Sequence, residues 1–83
     1  MREFLTGTDY EPLSSAGTVH FQNVGKGLLV VKRSVLQPDA SEEGWVYPPG
    51  TGERGRVVDL YPTEAGTLWA KALDATFVYL REL

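Results

Sequence analysis

The sequence predicts an all-β domain, a small antiparallel β-sandwich of about six short strands. Apolar and polar residues alternate with a period of two around Val19, the spacing of a strand with one buried face, and the strand around Phe77 is apolar on both faces, as one lying at a subunit contact would be. Turn-forming Gly, Pro, Asn and Asp recur at intervals of roughly 8 to 12 residues. No segment offers more than one turn of helix, at Ser41 to Glu43. A partly open barrel of SH3 or OB type is the alternative arrangement of the same strands.

Residues 1–17 are rich in Thr, Asp, Pro, Ser and Gly, so Phe4-Leu5 reads as a short edge strand and Asp9 to Gly17 as an irregular arm suited to assembly. From Thr18, Val19 and Phe21 alternate with His20 and Gln22. Asn23 to Gly27 then reads as a turn, with Gly25 and Gly27 free to take positive φ or form a bulge. The run Leu28 to Val31 continues into Lys32 and Arg33 as a second strand whose unbroken apolar stretch implies cover on both faces or a central position. The short link between the two predicts an antiparallel hairpin.

Residues 34–53 form the longest connecting loop, interrupted by Trp45 to Tyr47 as a short strand or plug and closed by Pro48-Pro49-Gly50, where proline removes a ladder donor. The chain from Gly55 onwards reads as three consecutive strands. In the first, Val58 and Leu60 are expected to face inward and Tyr61 outward. In the second, Leu68, Ala70 and Ala72 oppose Trp69 and Lys71; in the third, Thr76, Val78 and Leu80 oppose Phe77 and Tyr79. Trp69 and Phe77 are expected to serve the core. A meander of this kind is marginal alone and needs the earlier strands as a second layer.

Eighty-three residues make a single domain, small enough that oligomerisation would be a useful supplement to stability. The chain has no cysteine, which leaves neither a disulfide framework nor a thiolate metal site. Eight basic and eleven acidic residues give a net charge of −3, against the requirements of a duplex binder that neutralises many phosphates, so nucleic acid is not an expected partner. No apolar run is long enough for a signal sequence or a membrane span, so no membrane partner is expected.

An enzymatic reading finds no constellation to carry it. His20 is the sole histidine and faces opposite to Val19 and Phe21, toward solvent or an interface. None of Ser14, Ser15, Ser34 or Ser41 lies in a nucleophile elbow. Gly50 to Arg56 lacks the Lys-Ser/Thr ending of a P-loop and reads instead as a turn presenting Arg54 and Arg56 at a rim, where their planar forks suit carboxylates of a partner. No catalytic, metal or cofactor residue is assigned.

The segments Gly17-Thr-Val-His-Phe-Gln-Asn-Val-Gly25, Leu28 to Val31, Gly44-Trp-Val-Tyr-Pro-Pro-Gly50, Gly66-Thr-Leu-Trp-Ala-Lys-Ala72 and Ala75 to Leu80 together resemble the small β-sandwich modules of tailed-bacteriophage virion accessory proteins. The resemblance implies a structural role in head decoration, a head fibre or the tail. The partners it implies are further copies of the chain and a major capsid protein or other virion protein, and the place is the virion after synthesis in the host cytoplasm. The chain departs from the pattern in its longer 34–43 insertion and its aromatic carboxyl half. Aromatic and arginine side chains dominate many interfaces, so Phe4, Leu5, Tyr10, Tyr47, Arg54, Arg56, Tyr61 and Trp69 form the expected contact set. The competing function is an SH3- or OB-like module that binds a peptide or single-stranded nucleic acid.

Overall fold

The computed structural model describes the backbone of residues 2–83 and the side chains of residues 7–83. Eight strands and one helical turn follow in order: β1 (Arg2–Thr6), β2 (Glu11–Ser14), β3 (Thr18–Asn23), β4 (Leu29–Ser34), β5 (Trp45–Tyr47), β6 (Gly52–Arg56), α1 (Val57–Leu60), β7 (Thr67–Ala72) and β8 (Thr76–Glu82). They form two open four-stranded antiparallel sheets, a first sheet ordered β1-β8-β3-β6 and a second ordered β2-β7-β4-β5. The expected β-sandwich is therefore present, and the barrel alternative is not.

Connectivity departs from the expected hairpin and meander. The 24–28 link carries the chain from β3 in the first sheet to β4 in the second, so these strands stack across the core instead of pairing. Likewise β6, β7 and β8 alternate between sheets. Only β4 and β5 are consecutive strands that pair, with Val30 opposite Val46. Residues 1–17 are not a free arm either, since β1 pairs with β8 and β2 with β7, one edge strand for each sheet. Pro12 fits such an edge, where its missing N–H breaks no inner ladder.

The core lies between the sheets and includes Leu13, Val19, Phe21, Leu29, Val31, Leu68, Ala70, Val78 and Leu80, joined by Tyr47, Val57 and Tyr61. Strand alternation supplies most of these positions. As its unbroken apolar run requires, β4 is central: Leu29 and Val31 join the core, while Val30 is buried without belonging to it.

The segment read as a strand from Gly55 splits. Gly52–Arg56 pairs with β3, and the chain then closes a single helical turn over Val57–Leu60, sealed by the Tyr61 amide donating to the Val57 carbonyl at 2.9 Å. Positions i and i+4 share a helix face, so Val57 and Tyr61 are buried together while Val58 is exposed and Leu60 only partly buried. This reverses the expected inward face.

Asn23 joins the sheets. Its side-chain nitrogen donates to the carbonyls of Gly27 (2.7 Å) and Tyr47 (2.8 Å), and its oxygen accepts from the Gly25 amide (3.2 Å) and the Thr76 hydroxyl (2.8 Å). The fully buried amide thus makes four hydrogen bonds that tie β3 and β8 of one sheet to β5 of the other. The glycines of this link serve proximity and not positive φ. A Cβ on Gly25 would overlap the Thr76 hydroxyl and the Phe77 amide, and one on Gly27 would press on the Asp74 carbonyl.

Candidate interaction surfaces

The expected contact residues divide sharply. Tyr10, Tyr47 and Tyr61 are buried in the chain's own interior, so they offer no ring to a partner. Each has a polar reason to be there. A carboxylate only accepts, so the Tyr47 hydroxyl donates to Glu53 Oε2 at 3.2 Å and Tyr61 must donate in turn to the Tyr47 oxygen at 2.6 Å. Burial pushes the Tyr47 phenol up to about 12 and raises that of Tyr61 further, with the Tyr47 hydrogen bond adding to the effect of burial. Neither tyrosine ionises under neutral conditions.

Tyr10 organises the outer face of the second sheet. Its hydroxyl donates to the Glu42 carbonyl at 2.9 Å, and Gln37 Nε2 donates to its backbone carbonyl at 2.8 Å. Lys71 Nζ lies 4.9 Å from the centre of the Tyr10 ring and donates to the carbonyls of Ala40 and Glu42. These bonds clamp residues 37–42 over the sheet, and Lys71 is buried beneath them. At the start of the same segment Trp69, half-buried, donates from Nε1 to the Ser34 carbonyl at 3.0 Å. The long loop is thus a cover on this face, carrying Asp39, Glu42 and Glu43 outward as exposed residues.

The outer face of the first sheet has no such cover. Register places Arg56 beside Thr18, Arg54 and Arg81 on either side of His20, and Tyr79 beside Gln22. The His20 and Tyr79 rings meet edge to face with centroids 5.5 Å apart. Outward positions of β3, β6 and β8 carry no carboxylate, because the acids on β6 and the end of β8 stand at inward register positions: Glu53 opposite Phe21 and Glu82 opposite Val19. Glu53 accepts from Tyr47, and Glu82 accepts from the Ser14 hydroxyl at 3.0 Å. Arg56 reaches Asp59 only across 3.8 Å with both side chains exposed, and neither Arg54 nor Arg81 has an ion pair or side-chain hydrogen bond among the described residues.

A third surface lies at one end of the sandwich. The β3–β4 link and the β7–β8 turn run side by side there, with the Val24 amide donating to the Phe77 carbonyl at 2.9 Å and the Leu73 amide to the Leu28 carbonyl at 3.1 Å. Val24, Leu28, Leu73 and Phe77 are all exposed, at 45%, 37%, 55% and 51%. Phe77, expected in the core, stands instead at an outward position of β8, two residues before Tyr79 on the outer side of the first sheet. Trp45 is another exposed aromatic missed by the expected set; it sits on edge strand β5 beside an open depression shared with Glu43, Thr63 and Glu64. Phe4 and Leu5 lie in β1 opposite Val78 and Phe77, and their side chains fall outside the described residues.

Among the described residues no group of three His, Asp or Glu side chains converges as a metal site, and no helix is long and apolar enough to cross a membrane. The chain matches no protein family, and no curated protein or solved structure is significantly similar to it.

Proposed function

We propose that this chain is an assembly module that fastens to neighbouring protein subunits, in the manner of the virion decoration proteins its sequence pattern resembles. The observation that carries this reading is the exposure of four apolar side chains, Val24, Leu28, Leu73 and Phe77, on or beside two paired turns at one end of the sandwich. The two turns are bonded to each other and locked from behind by Asn23, so the backbone that carries these side chains is organised before any partner arrives. Preorganisation lowers the ordering cost of association.

Apolar surface removed from water yields roughly 25 cal/mol per Å², so four partly exposed side chains support only a modest contact on their own. Many such contacts on a repeating lattice sum through effective concentration, which is how a small cementing protein holds a shell. The partners are accordingly further copies of the chain and a major capsid or other virion protein.

The test is Leu73→Asp, an exposed change that leaves the core intact. Light scattering should show the wild-type chain associating with itself or with shell subunits and the variant losing that association, with reduced occupancy on purified particles. Unchanged mass and unchanged occupancy would reject the proposal.

A further inference from the structure

We infer that the open face of the first sheet is a binding surface for single-stranded nucleic acid. The inference goes beyond the assembly role, because it concerns a different class of partner and rests on residues other than the four exposed apolar ones.

Three observations carry it. First, Arg54 and Arg56 of β6 and Arg81 of β8 stand on one sheet face, where the outward positions of β3, β6 and β8 carry no carboxylate and the nearest acid by register is Glu3 of β1, opposite Tyr79. Lys32, Arg33 and Lys71 are used inside the fold, by Glu64 and by backbone carbonyls, whereas Arg54 and Arg81 have no side-chain partner among the described residues. The net charge of −3 hides this asymmetry, since Asp39, Glu42 and Glu43 sit on the cover over the other sheet.

Second, rings lie among the charges. His20 and Tyr79 are partly exposed and meet edge to face, His20 lying between Arg54 and Arg81 across the strands and Tyr79 standing two residues before Arg81 on β8. Unstacked bases bind such rings through their faces while guanidinium groups hold the phosphates. Third, the surface is a strand face, on which residues two apart are separated by about 6.7 Å, and across it the row Arg81, His20, Arg54 sets a ring between two cations. A single strand can lay bases and phosphates over such a surface. A duplex has its bases paired and stacked inside and would present only phosphates to it.

The experiment is fluorescence anisotropy of a labelled single-stranded oligodeoxythymidine with the full chain at low salt, with the matching duplex and polyglutamate as comparisons. Binding to the single strand should exceed binding to the duplex, and log affinity should fall with log salt at a slope near −2 if three phosphates are neutralised. Tyr79→Ala should weaken binding on the order of tenfold with the slope unchanged. The double change Arg54→Gln and Arg81→Gln should cut the slope to about −0.7. Circular dichroism checks that both variants fold, and Leu73→Asp should bind like the wild type, which separates this surface from the apolar end. Absence of binding, equal affinity for the duplex, displacement by polyglutamate as effective as by unlabelled oligonucleotide, or indifference to Tyr79→Ala would each overturn the inference.

Discussion

The outer faces of the two sheets have the same ladder chemistry and opposite fates. Over the second sheet the chain folds back on itself: Tyr10, Gln37 and Lys71 clamp residues 37–42, and a lysine that would ordinarily project into water is buried against carbonyls and a ring. Over the first sheet nothing described covers β3, β6 and β8, and their outward arginines stay in solvent. Similar side chains therefore do different work, and the difference lies in which surface the long loop covers. A buried cation must be satisfied by the fold, whereas an exposed one is free to recognise something else.

The joint between the sheets should show the largest effect. Asn23→Ala removes four hydrogen bonds and strands buried partners, at a cost on the order of 3 kcal/mol or more in urea unfolding. Within the core, Tyr47→Phe leaves the Tyr61 hydroxyl without its acceptor and should cost about 2 kcal/mol.

The same pair sets an alkaline limit. The native phenol of Tyr47 titrates near 12 against an ordinary value of 10.0, and that of Tyr61 is raised in the same direction. The folded state therefore holds these protons more tightly than the unfolded state does. Stability from the pair is fully present below about pH 10 and is lost as pH rises from there through about 12. A pH series of unfolding midpoints should show the loss in that window, and Tyr47→Phe should shrink it.

Matched substitutions on the two faces sharpen the contrast. Lys71→Gln should cost about 2 kcal/mol, since it removes charge-assisted bonds to the cover. Arg81→Gln on the open face should change stability by less than about 0.5 kcal/mol. Equal costs would erase the distinction between a sealed face and a free one.

Much of the sandwich is legible in the chain because period-two alternation survives in β3, β7 and β8, and because the apolar run of β4 demands a central place. The strands that escape are those whose pairing is set by distant partners. Gly52–Arg56 contains no large apolar residue and becomes a strand only by lying along β3, and Glu11–Ser14 carries a proline and a register shift. Val57–Leu60 has β-branched residues, yet tertiary packing of Val57 and Tyr61 selects a helical turn. The short 24–28 link suggests a hairpin, but the Asn23 amide and the close approach of Gly25 and Gly27 to the neighbouring turn hold it as a crossing between layers.

Which polar and aromatic residues are exposed is harder to read from the sequence, for a related reason. Arg54 and Arg56 were visible as a rim because charge is rarely buried, and they do lie exposed. Tyrosine gives no such guide: Tyr10, Tyr47 and Tyr61 find hydroxyl partners inside, whereas Tyr79 faces outward. That His20 and Tyr79 share a surface with Arg54 and Arg81 depends on the β3–β6 and β3–β8 registers, which no local pattern reveals.

Hydroxyl-radical footprinting read by mass spectrometry tests the asymmetry of the two faces most directly. Tyr79 and Phe77 should be oxidised rapidly, with Tyr10, Tyr47 and Tyr61 protected to near background until the chain is unfolded. Oxidation of Tyr10 as fast as that of Tyr79 in the native protein would mean that the second sheet is not covered, and would contradict the account.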